Sequence, residues 1–156
     1  MDLLNIDASG GELSPTLQKN LDALAIRNPD AAHRVRLATP RIDVEITPSD
    51  EPELAVVAGG RSLTSRKRPG TEARRLAESV DPSEAAIACV LGFGAGHHCR
   101  ELVTRLGTMA RVICFEPDAG LLRAVLDRVD CAEMFATGRV VVLTDAADRA
   151  AIGRAL

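Results

Sequence analysis

The stretch VLGFGAGHHCRELVTRL, Val90 to Leu106, decides the fold. An apolar run meets three glycines at alternate positions, then two histidines, then Cys99, Leu102, Val103 and Leu106 at helical spacing. This reads as a strand, a tight turn and a helix that Gly107 can cap. Only residues without a Cβ let the backbone of such a turn approach a ligand, and the helix start offers free N–H groups. The run that leads in, AIACVL, is apolar throughout, as expected for a parallel strand covered on both faces.

Working outward, RVICF is a second strand, closed by Glu116-Pro117. Asp118 can cap a helix that turns Leu121, Leu122, Val125 and Leu126 inward. DCAEMF makes a short helical turn, RVVVL is the third strand, ending in Thr144-Asp145, and a last helix starts at about Ala146. The series βαβαβ is one half of a doubly wound sheet, and right-handed crossovers set its strands in the order third, second, first. The fold class is therefore α/β: a half Rossmann-like, methyltransferase-like parallel sheet over residues 82–156, expected to be truncated at its C-terminal end. A small α+β subdomain, residues 1–81, precedes it.

In that first part, Ser14 can cap a helix with Pro15 in its first turn and Leu17, Leu21 and Leu24 on one face. Asn28-Pro29 stops it and starts a second helix to about Ala38. RIDVEI alternates, with Ile42, Val44 and Ile46 on one side of a strand, and ELAVVA pairs with it before Gly59-Gly60 turns the chain. RSLTSRKRPG carries Arg61, Arg66, Lys67 and Arg68; it reads first as a solvated loop and second as an anion contact. TEARRLAESV is a helix with Ala73, Leu76, Ala77 and Val80 inward.

The bulk composition excludes several classes. The 156 residues carry a formal charge of −3, so no strong field recruits nucleic acid or anionic lipid. Three phenylalanines are the whole aromatic complement, too few for a single-strand nucleic-acid platform. No run approaches the ~18 apolar residues of a membrane span, and MDLLNIDASG lacks the marks of a secretory signal. A cytoplasmic location is expected. Cys89, Cys99, Cys114 and Cys131 show no metal-ligand spacing, and Cys89 and Cys114 read as small buried hydrophobes.

Glu116 stands 24 positions after Gly92, where such folds place an acid that takes ribose hydroxyls, and Asp145 can reach a nucleobase or amine. The dinucleotide fingerprint fails, because His97 or Cys99 falls where its third glycine belongs. The S-adenosylmethionine pattern fits better through Gly94, Gly96 and Glu116, but Gly92 replaces the acid that would hold the cofactor's amino acid portion. Weak binding of a nucleotide or S-adenosylmethionine is the ligand chemistry left open. Neighbouring helical residues point about 100° apart, so His97 and His98 do not share a metal, and none is expected. A helix-start histidine bonded to loop carbonyls or to the second strand's acid is the favoured reading. The candidate binding residues are Gly92, Gly94, Gly96, His98, Glu116 and Asp145, with no catalytic residue assigned.

VLGFGAGHHCREL followed by ICFEPD resembles the N-terminal Rossmann-like region of Maf proteins, the motility accessory factor glycosyltransferases. Gly92, Gly94, Gly96 and His98 match that family's glycine loop, and Glu116, Pro117 and Asp118 its second-strand ending. Ser65, Pro69, Glu72 and Ala73 match an upstream segment, and NLDALAIRNPDAAHRV its opening helices. Ala95 and His97 depart from it. The resemblance implies a bacterial protein of flagellin glycosylation, whose full-length relatives move a nonulosonic acid from a CMP-activated donor to flagellin Ser or Thr. Their transferase part lies C-terminal, in a domain related to the archaeal pterin diphosphokinase MptE.

The leading expectation is thus a noncatalytic N-terminal domain of a Maf-like glycosyltransferase. Its partners would be the C-terminal glycosyltransferase domain of the parent chain, flagellin, and a second copy in a homodimer paired through the open edge of the first parallel strand. A small S-adenosylmethionine-dependent methyltransferase or nucleotide-binding protein is the alternative, and an MptE-like diphosphokinase a third.

Overall fold

In the computed structural model, residues 11–145, 147, 150 and 152–153 are described. Helix α1, Pro15–Ala25, begins where Ser14 Oγ accepts the Leu17 N–H at 3.1 Å. Its inner face carries Leu17, Leu21, Leu24 and the fully buried Asn20. Helix α2, Pro29–Leu37, starts at the proline that ends α1 and buries Ala31, Ala32 and Val35.

Strands β1 (Val44–Thr47), β2 (Ala55–Ala58) and β3 (Arg61–Ser62) form an antiparallel sheet in that order. Gly59 and Gly60, both at positive φ, make the two-residue turn from β2 to β3. The strand expected over RIDVEI, from Arg41, is corrected at its start. Ile42 is fully exposed and lies in a turn before β1. The cause is Arg41, whose guanidinium binds Asp43 and, at 2.9 Å, Asp118, while its backbone N–H donates to Gly120 O. These bonds hold residues 41–43 against the far part of the chain.

Helix α3, Pro69–Glu78, buries Ala73 and Ala77, but Leu76 is 43% exposed, contrary to its expected inward place. Its first turn is capped from outside by Glu51, which accepts the Thr71 N–H at 3.0 Å and the Thr71 hydroxyl.

The second sheet is parallel, with order β4 (Ile87–Leu91), β5 (Arg111–Phe115), β6 (Val140–Leu143). Helix α4, His97–Arg105, crosses from β4 to β5; α5, Ala119–Leu126, and α6, Ala132–Ala136, cross from β5 to β6. Asp118 caps α5, its Oδ1 accepting the Leu121 N–H at 2.8 Å. Gly107 does not cap α4: Leu106 ends the helix in extended conformation, and Gly107 is not among the positive-φ glycines. Arg139 takes the role instead, donating to Val103 O at 3.0 Å, Leu106 O at 3.1 Å and Gly107 O at 2.6 Å. The helix expected from about Ala146 falls largely outside the described residues, although Ala150, Ile152 and Gly153 are helical.

Ala88, Val112, Cys114, Val140 and Val142 face a core shared with α1, α2, α4, α5 and α6. Buried residues on both sides of position 81, from Leu17 and Val56 to Leu122 and Phe135, join this one cluster. Coverage of β4 on both faces is corrected. A monotonic strand order with right-handed crossovers puts both connections on the same side. Val141 and Leu143 on the other side meet Ile113, Phe115 and Ile152, while Ile87, Leu91 and Cys89 of β4 stay exposed. Cys89 is therefore not the buried hydrophobe expected, whereas Cys99, Cys114 and Cys131 are buried. The neighbouring Cys99 and burial push the Cys114 thiol up, and burial pushes Cys131 up to about 12.

Candidate functional site

The glycine turn is built around an inward-pointing ring. Gly92 leaves β4 at φ +86°, and its N–H donates to Phe115 O of β5 at 2.8 Å. Phe93 then dives into the core, 2% exposed, with its ring centroid 6.1 Å from that of Phe135. Gly94 and Gly96, at φ +55° and +77°, carry the chain over this ring into α4. A Cβ on Gly96 would stand 2.7 Å from Phe93 Cζ, whereas one on Gly92 would meet nothing within 4 Å. Gly96 is thus a packing position, and Gly92 faces open space.

Glu116, at the end of β5, is 6% exposed and points back at this turn. Its Oε2 accepts the Phe93 N–H at 3.0 Å and its Oε1 the Asp118 N–H at 3.0 Å. The acid expected to reach a ribose therefore holds two backbone donors of its own chain. Asp118 continues the network to Arg41, and the guanidinium of Arg41 lowers the pKa of Asp43.

Beside the turn lies a cleft of about 250 Å³, lined by Gly92, Gly94, His98 and Glu116 together with Leu63, Leu76, Val90, Leu91 and Leu121. Four of the six candidate residues meet here. Gly96 lies beneath the loop. Asp145 is elsewhere: it follows β6, with β5 between it and the glycine turn, and pairs with Arg34 at 3.6 Å. Adjacent strands lie roughly 4.8 Å apart, so an acid two strands away misses a cleft at the β4 end. Asp145 is therefore not brought together with the glycines and Glu116.

The two histidines divide their tasks. His98 lines the cleft, while His97 is 3% exposed, with its Nε2 2.8 Å from Leu54 O. With the proton on Nε2 this is a hydrogen bond that ties α4 to the segment entering β2. His97 Nδ1 is buried with no hydrogen-bond partner among the described residues, and burial lowers the histidine's pKa, against a smaller opposing effect of the Leu54 carbonyl. The leucine wall was not foreseen, because Leu63 precedes the glycine turn by almost thirty positions and Leu76 reads as core. Asn20 was missed as well: its Nδ2 donates to Leu126 O at 2.7 Å and Val129 O at 2.8 Å, and its Oδ1 accepts the Cys131 N–H.

Chemically, the cleft offers an apolar surface, one imidazole and a carboxylate already engaged by main-chain donors. Among the described residues, no group of three or more His, Cys, Asp or Glu side chains could hold a metal ion, and no helix is long and apolar enough to cross a membrane.

No protein-family profile and no curated protein matches the sequence. Among solved structures, the chain is similar to the Maf glycosyltransferase from Magnetospirillum magneticum AMB-1, with a TM-score of 0.57 and 15% sequence identity. The match covers 83% of this chain and 27% of that one, so this chain spans about a quarter of the length of that glycosyltransferase. At this identity the likeness is one of fold.

Proposed function

We propose that the chain is a noncatalytic, Rossmann-like N-terminal domain of a Maf-like glycosyltransferase, acting in assembly and positioning in the cytoplasm. In this reading the parent polypeptide moves a nonulosonic acid from a CMP-activated donor to Ser or Thr of flagellin, and the chemistry belongs to a transferase domain outside these residues. The observation that carries it is the closure of the glycine turn by Glu116. Both carboxylate oxygens accept backbone N–H groups, and the adjoining cleft is walled by leucines. A ribose would have to compete with two charge-assisted hydrogen bonds, each worth roughly 1.5–3 kcal/mol. The likeness to a quarter of a Maf glycosyltransferase agrees with a part rather than a whole enzyme.

The apolar face of β4, with Ile87 45% and Leu91 86% exposed, is where we place the contact with the transferase domain. The methyltransferase alternative loses support from the same carboxylate, since the acid it requires is turned inward. Incubating the chain with flagellin and a CMP-nonulosonic acid donor, and weighing flagellin by mass spectrometry, tests the proposal. No sugar adduct above the protein-free control is expected. Adduct formation, or donor cleavage, by this chain alone would show it to be catalytic.

A further inference from the structure

The basic loop that the glycine site leaves unused forms a site of its own. Residues 61–75 hold six basic side chains against the single acid Glu72, in a chain whose net charge is −3. Lys67, Arg68 and Arg75 line one cleft of about 640 Å³, with the hydroxyl-bearing Ser65 and Thr71 and the acids Asp50 and Glu72. Several basic side chains elsewhere among the described residues are committed: Arg139 to the end of α4, Arg41 to Asp43 and Asp118, Lys19 to Asp130, Arg105 to Val80 O. Those of Lys67, Arg68 and Arg75 are exposed and make no ion pair or side-chain hydrogen bond among the described residues. The acids of the cleft do not neutralise them. Glu72 accepts the Ser65 N–H at 2.6 Å, and neither it nor Asp50 pairs with a cation there.

The loop is also held in shape rather than loose. Ser65 Oγ accepts the Arg68 N–H at 3.1 Å, Asp50 N–H donates to Lys67 O at 2.9 Å, and Thr64 Oγ1 accepts the Val56 N–H at 2.9 Å. Glu51 fixes the start of α3 through Thr71. The three cations therefore project from a backbone tied to the antiparallel sheet and to the loop between β1 and β2.

We infer that this cleft binds a phosphate-bearing small molecule through Lys67, Arg68 and Arg75. Guanidinium groups match phosphate oxygens in two parallel hydrogen bonds, and an ammonium adds a mobile point charge. Three cations suit a group of charge −2 or more, such as a phosphate monoester or a diphosphate, better than a single carboxylate. Fixing the loop in advance reduces the ordering cost of binding. The site is separate from the glycine cleft and from the proposed noncatalytic role, so either can fail without the other.

Titrating the isotope-labelled chain with pyrophosphate, phosphate and citrate, and following backbone amide shifts, tests this. Pyrophosphate is expected to saturate shifts at Ser65, Arg68 and Thr71 in the low millimolar range or tighter, more strongly than citrate. Arg68→Ala and Arg75→Ala should each weaken it by roughly fivefold or more, with circular dichroism unchanged because both side chains are exposed. Arg128→Ala, on an exposed residue outside the cleft, should leave it unchanged. Absence of saturable shifts at 10 mM pyrophosphate (an order-of-magnitude ceiling for a specific anion site), citrate binding as tightly as pyrophosphate, or equal weakening by Arg128→Ala would overturn the assignment.

Discussion

The Glu116 carboxylate stands 3.0 Å from the backbone nitrogen of Phe93, joining the end of the second parallel strand to the turn that follows the first. A spacing that serves ribose recognition in nucleotide-binding folds here serves to close the loop.

Removing this carboxylate should cost stability. Glu116→Ala strands the Phe93 and Asp118 N–H groups in a buried setting, and the loss should be about 2–4 kcal/mol. For a chain of this length each kcal/mol corresponds to roughly 2–4 °C in Tm. Glu116→Gln keeps one acceptor and should lose about half as much. Urea denaturation of the three proteins measures it, and an Ala variant as stable as the parent would remove the closure argument.

The glycines of the turn should respond unequally. Gly92→Ala meets no atom within 4 Å and should cost only the positive-φ penalty, about 1–2 kcal/mol. Gly96→Ala adds the collision with Phe93, a further ~1–3 kcal/mol of overpacking. Equal losses in thermal denaturation would mean that Gly96 is not a packing position.

Much of the fold was legible because its signals are local. Ser14-Pro15 and Asp118 announce helix starts through their own caps, and three apolar runs with intervening helices give the strand order. What escaped depends on distant partners. The apolarity of Ile87, Cys89 and Leu91 says that a face wants cover, but only the direction of the crossovers says which face receives it. The alternation through Ile42 suggested a strand, and Arg41 overrides it by pairing across the chain with Asp118. In the site, glycine spacing located the turn and Glu116, but nothing in that spacing tells a ribose-facing carboxylate from one turned back on Phe93. Asp145 failed for the same reason at larger scale, since chain order does not reveal that β5 separates it from the cleft.

His97 should make the fold sensitive to mild acid. Its folded pKa lies below the ordinary value of 6.5, so the unfolded chain binds the proton more readily. The associated stability is present above about pH 6.5 and is lost as pH falls from there toward the folded pKa. Asp43, Glu51, Asp81 and Asp130 also have lowered pKa values, but their losses set in only below about pH 4.5. Urea midpoints at pH 7.5 and 5.5 should therefore differ in the parent and converge in His97→Gln. A parent with the same midpoint at both values would contradict the lowered pKa of the buried His97.

The exposed face of β4, and its outer edge, which has no strand partner among the described residues, should promote self-association of the chain, because open apolar strands pair with available partners. Light scattering over a tenfold or wider dilution series is expected to show concentration-dependent mass, suppressed by Leu91→Glu. A 16.5 kDa monomer at every concentration would defeat this expectation.

Calorimetric titration with S-adenosylmethionine decides whether the glycine turn is closed and serves structure rather than cofactor chemistry. The expected result is no binding tighter than about 1 mM, the range in which the interaction free energy falls to roughly 4 kcal/mol. Micromolar binding of S-adenosylmethionine, abolished by Glu116→Ala in a variant that remains folded, would contradict it and return the chain to the methyltransferases.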